Sequence, residues 1–140
     1  MSDVDAITPQ HIANLRNHAD FVEAQPSIYM GAFAFVEGTV DYLNPNEVTN
    51  ECGAAMCAVG LVPLNADMPS TERCRDWSEV CRAAFGFDEN GYLNNGIHSF
   101  YTEDLWEETF GGDLPDDPAT IANGMRRAAD QIEAWKAEAA

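Results

Sequence analysis

The chain has 140 residues, 46% of them apolar, and sets 24 carboxylates against 7 lysines and arginines, a formal net charge of -17. A chain of this length can bury roughly 68% of its unfolded surface, so the apolar content predicts one folded domain, residues 1–140, and excludes a disordered acidic tail. The charge argues against direct contact with nucleic acid or an anionic membrane, both held mainly through Lys and Arg, and no run approaches the roughly 18 apolar residues of a membrane span.

The amino terminus, Met1-Ser2-Asp3-Val4-Asp5, has acids where a secretory signal carries bases, which predicts a cytoplasmic protein. Thr8-Pro9 is a helix start, and Ile12, Leu15, Ala19 and Val22 recur at helical spacing, predicting a helix from Pro9 to about Ala24 that ends before Pro26. Ser27 to Val40 is apolar and aromatic without a clean period and is compatible with a short strand, a helical turn or a packed loop. Asn44-Pro45-Asn46 marks a turn. The next segment, Glu51 to Val59 with Gly60 as its stop, is small or apolar on every side and reads as a buried central helix.

Ser70 or Thr71 opens a further helix with the stripe Trp77, Val80, Cys81, Ala84 and Phe85, ended by Gly86. Asn90-Gly91 and Asn95-Gly96 then predict a small hairpin or an irregular loop between Phe87 and Phe100. Thr102 to Phe110 reads as a short helix ended by Gly111-Gly112, and Asp117-Pro118 starts the longest one, whose Ile121, Met125, Ala128, Ile132 and Trp135 form a packing seam. The expected fold is mainly α, a compact single domain of about five helices, with either a small hairpin or an irregular loop between the third and fourth.

Four cysteines, Cys52, Cys57, Cys74 and Cys81, are spaced Cys-x4-Cys and Cys-x6-Cys, at and beyond the edge of the close pairs of structural zinc sites. Buried reduced thiols fit better, with Cys74 and Cys81 two helical turns apart on one face. Asp88-Glu89-Asn90-Gly91-Tyr92-Leu93 resembles the middle of a calcium loop, but Gly86 and Ile97 stand where the first and last acidic ligands belong, so it reads as a turn. Of the three histidines, His11 and His18 stand seven apart on one helix, too far for a helical metal pair, and His98 has no local cysteine or carboxylate pattern. With no phosphate loop or metalloprotease signature either, neither catalytic residues nor a cofactor nor a metal is expected.

Charge is regional. No lysine or arginine lies between Arg16 and Arg73 or between Arg82 and Arg126. The second window holds the most concentrated group: Glu103, Asp104, Glu107 and Glu108 on the short helix, followed by Asp113, Asp116 and Asp117. Glu103 and Asp104 suit the positive end of a helix. Glu107 and Glu108 each follow another acid by four residues, a pairing that costs roughly 0.2–0.5 kcal/mol. Such rows present negative charge much as a phosphate backbone does, so these seven carboxylates are the candidate partner-binding residues. The expected partner is a basic protein surface, of the kind that binds nucleic acid. A salt-adapted structural or virion-assembly protein is the alternative source of the acidity, and the oligomeric state is left open.

Cys52-Gly-Ala-Ala-Met-Cys57-Ala-Val-Gly60, Trp77, Phe85-Gly86-Phe87, Leu105-Trp106 and Asp117-Pro118 leading into Ile121-Ala122 and Arg126-Arg127 resemble a group of small uncharacterised phage and bacterial proteins. These carry a Cys-Gly-x-x-x-Cys-x-x-Gly core helix and a late Asp-Pro-x-x-Ala helix. The present chain has Ala54 where Thr is usual and Leu61 where His often follows the glycine. The resemblance covers about residues 50 to 132 and implies a phage or mobile-element setting without an established activity; together with the acidic face, that setting suggests an accessory inhibitor of a host or defence protein.

Overall fold

Thr8 caps the first helix, α1 (Pro9–Glu23): its hydroxyl accepts from the His11 backbone N–H, and Nδ1 of His11 accepts from the Thr8 N–H in return. The computed structural model describes residues 5–31, 33–36, 43–48 and 54–139. Its remaining regular elements are strands β1 (Ala34–Val36) and β2 (Ala54–Met56) and helices α2 (Trp77–Phe85), α3 (Phe100–Phe110) and α4 (Pro118–Ala139), with short 3-10 turns at Pro45–Glu47 and Val62–Leu64. The fold is mainly helical, as expected, with four α-helices among the described residues.

The expected central helix over residues 51–59 is not formed where the chain is described. Ala54–Met56 instead pairs antiparallel with Ala34–Val36, in the register Ala34 to Met56, Phe35 to Ala55 and Val36 to Ala54. Residues 57–60 turn, with the Leu61 N–H returning to the Cys57 carbonyl. A short apolar run does not distinguish buried strand from buried helix by period, and here ladder bonding overrides the helical preference of alanine. Gly60 shows why a small residue is needed: a Cβ there would stand 1.8 Å from the Phe33 carbonyl oxygen. Cys52 and Glu51 lie outside the described residues.

The next helix starts later than its composition predicts. Asp76, not Ser70 or Thr71, is its cap, accepting from the Glu79 N–H at 2.9 Å, and Gly86 ends α2 in the left-handed region at φ 88°. Cys74 therefore precedes the helix and does not share a helical face with Cys81. Between α2 and α3 the chain takes the irregular loop of the two expected forms, held by isolated bridges joining Phe87 to Leu93 and Tyr92 to His98.

The helices meet around one core. α1 packs chiefly on α4 and also on α2, and α3 packs on α4. Leu15, Ala19 and Val22 of α1 are fully buried, as are Met125, Ala129 and Ile132 of α4, and Phe85 and Phe87 lie in the same core. Two arginines clamp the α1/α4 seam from opposite helices: Arg16 bonds Asp130 and Glu133, and Arg126 bonds Asp20 and Glu23. Buried His18 ties α1 to the turn after β2. Its Nε2 lies 2.6 Å from the Ala58 carbonyl and so donates to it, while Nδ1 accepts from the Asn65 amide at 2.9 Å. Burial holds its pKa down to about 4, which keeps the ring neutral.

Candidate functional site

Helix α3 divides along its length. Thr102, Leu105, Trp106, Thr109 and Phe110 are buried, whereas Glu103, Asp104, Glu107 and Glu108 are exposed. Ring packing fixes the inner side: Trp106 lies 4.8 Å from Phe110 and Phe110 stacks on Phe85 at 5.4 Å, centroid to centroid. Thr102 Oγ1 donates to the carbonyls of Gly91 and Ser99, which docks the start of the helix on the preceding loop. The outer side is thereby held outward.

Asp113, Asp116 and Asp117 are also exposed, but the seven candidate carboxylates are not equivalent. Asp117 caps α4 through the Thr120 N–H and hydroxyl. Asp116 accepts from the Met30 backbone N–H at 2.7 Å and so fastens the loop after α3 to the segment before β1. Glu103 bonds Nε2 of His98 at 2.9 Å. Asp104, Glu107, Glu108 and Asp113 have no hydrogen bond or ion pair with another described residue. Arg127 lines with Glu108 a shallow groove over Gly124 without pairing to it.

The scarcity of free bases sharpens this contrast. Arg16, Arg75, Arg82 and Arg126 are engaged with carboxylates of the same chain. In the Arg82–Asp88 pair the carboxylate is buried and the guanidinium half-buried, and Asp88 also accepts from the backbone N–H groups of Asn90 and Tyr92. The calcium-like loop is thus an arginine-anchored turn. Among the described residues, no group of three His, Cys, Asp or Glu is placed to hold a metal ion.

A cleft of about 470 Å³ opens beside the strand ribbon, lined by Phe33, Leu43, Trp77, Trp106 and Phe110 together with Cys57. Burial pushes the Cys57 thiol up to about 11 and raises that of Cys81 well above its ordinary value, so both remain protonated near neutrality and lack the thiolate a nucleophile requires. His11 is occupied with Thr8 and His18 with Ala58 and Asn65. None of these groups forms a nucleophile–base pair with another.

The sequence-based reading overlooked one set of exposed residues. Tyr92, Ile97, Phe100 and Tyr101 are four of the five large hydrophobic side chains most exposed among the described residues. Phe100 carried the signal: it stands four and eight residues before Asp104 and Glu108, on the polar face, and so is out of phase with Leu105 and Trp106. Compared with known protein families, curated proteins and solved structures, the chain finds no match.

Proposed function

We propose that this protein acts by binding rather than by catalysis, presenting the carboxylates of α3 to a basic surface on a nucleic-acid-binding protein. The observation that carries the reading is the state of Asp104, Glu107 and Glu108: exposed, aligned on a helix whose opposite side is locked into the core, and without an ion pair among the described residues. Among the described residues no arginine pairs with them to offset their repulsion, and a cationic partner would offset it. Steering by so strong a one-sign field also raises the rate of encounter with a basic surface. The protonated thiols and the buried His18, hydrogen-bonded at both ring nitrogens, support the non-catalytic side of the reading.

The test is retention of nucleic-acid-binding proteins from a bacterial lysate on the immobilised protein at about 50 mM salt, with elution by about 300 mM salt. The variant Asp104→Lys/Glu107→Lys/Glu108→Lys should lose the retained proteins while keeping its helical circular dichroism. Equal retention by this variant would exclude α3 as the binding face. A rise in thermal stability with salt, without a preferred basic partner, would favour salt adaptation instead.

A further inference from the structure

Four exposed apolar side chains gather where the 87–99 loop meets the start of α3. Phe100 is 78% exposed, Ile97 52%, Tyr101 47% and Tyr92 44%. Two rings of this group flank a third, that of half-buried His98, which lies 5.4 Å from Tyr92 and 4.9 Å from Phe100, edge to face in both contacts. Their surroundings are rigid. Asp88 holds the turn through Asn90 and Tyr92, Leu93 N–H bonds the Ile97 carbonyl, and Ser99 N–H bonds the Gly91 carbonyl. Gly91, at φ +80°, lets the loop approach the helix; a Cβ there would stand 2.8 Å from the Ser99 carbonyl oxygen and 2.9 Å from Glu103 Cβ.

Exposed aromatics on a preorganised backbone mark a docking surface, because their large area becomes buried at little cost in side-chain entropy. The charge around this one selects its occupant. Glu103 and Asp104 follow Phe100 by three and four residues, so their side chains start about 5–6 Å from it on the helix surface. A phosphate or a second copy of this acidic chain would meet these carboxylates with like charge.

We infer that the Tyr92–His98–Phe100 cluster is an anchoring site for an arginine side chain of a partner protein, the guanidinium packing on the exposed rings and reaching the carboxylate of Asp104 and the second oxygen of Glu103, whose Oε2 is bonded to His98 Nε2. Arginine suits this place better than lysine, since its planar, weakly hydrated cation stacks on rings while donating in the plane to a carboxylate. The inference rests on the acidic-face reading for the charge of its occupant and adds the residue type and the anchoring point.

Two peptides of equal charge, one alternating six Arg with Gly and one alternating six Lys with Gly, are titrated into the full chain at low salt and followed by calorimetry and backbone amide shifts. The Arg peptide should bind about three- to fivefold more tightly, with shifts centred on residues 92–104. Phe100→Ser and Tyr92→Ser, both at exposed positions, should remove that preference while leaving the Lys peptide within about twofold. Equal affinity for the two peptides, unaltered by Phe100→Ser, overturns the anchor and leaves the acidic face standing. Failure of the wild-type chain to bind either peptide overturns both. Ring-dependent binding of an oligothymidylate, or a dimer in sedimentation that Phe100→Ser dissolves, overturns the arginine occupant in favour of bases or of a second copy.

Discussion

Along the α1/α4 seam, exposed carboxylates face guanidinium groups: Asp130 and Glu133 meet Arg16, and Asp20 and Glu23 meet Arg126. On the outer side of α3, Asp104, Glu107 and Glu108 face solvent with no such partner among the described residues. The same chemical groups are thus used in two ways, and the division follows the placement of a few arginines. The arginine–carboxylate bonds hold each cation in its charged form, raising the pKa of Arg16 and Arg126, and Arg126 lowers that of Glu23. A carboxylate joined to an internal arginine is poorly placed to bind outside the molecule. Acidity becomes informative about binding only after these internal pairs have been set aside.

The largest way to break the comparison is to weaken the core beneath the seam. Leu15→Ala, at a fully buried position, should cost about 2–5 kcal/mol in urea unfolding and disrupt both regions together, because the clamps and the α3 face rest on one core.

Acid should act next, through His18. The unfolded chain takes up a proton at the ordinary histidine value of 6.5, whereas the folded chain does so only at about 4. The stabilisation from the neutral buried ring is complete above pH 6.5, falls as pH drops toward 4, and loses nothing further below that. The two pKa values set the total at about 3 kcal/mol. Thermal melts between pH 7 and pH 4 should show this slope, and His18→Gln should flatten it whatever its stability at pH 7.

The smallest effects separate the two regions directly. Arg126→Ala removes a surface clamp and should lower the melting temperature by about 1–3 °C, less at high salt. Glu108→Gln relieves one repelling pair with Asp104 and should raise stability by about 0.2–0.5 kcal/mol, again less at high salt. A loss of stability in Glu108→Gln would mean that α3 depends internally on that charge, and would weaken the case that it is held for a partner.

Much of the helical framework was legible in the sequence because its signals are local. Thr8-Pro9, Gly86 and Asp117-Pro118 mark helix ends, and the seam from Ile121 to Ile132 is buried as its period requires. The segment before Gly60 was misread because its conformation is decided across the sheet, by pairing with Ala34–Val36 and by contact with the Phe33 carbonyl. The start of α2 was missed because Asp76, a residue as ordinary as its neighbours, outcompetes Ser70 and Thr71 as a cap. In the candidate site, the exposure of Glu103, Asp104, Glu107 and Glu108 follows from helical phase. The duties of Asp116 and Asp117 differ for a geometric reason: Asp117 caps its own helix, whereas the Met30 N–H that engages Asp116 is 86 residues away.

Tyr101 on α3 lies 5.5 Å, ring to ring, from half-buried Trp135 on α4, whereas Trp77 and Trp106 are buried. That places an intrinsic fluorophore beside the proposed docking surface and two others within the core. Acrylamide, being uncharged, reaches a residue in so acidic a surface without electrostatic bias, so quenching would separate the emission of Trp135 from that of its buried counterparts. The molecule therefore carries its own optical reporter of contact at the start of α3.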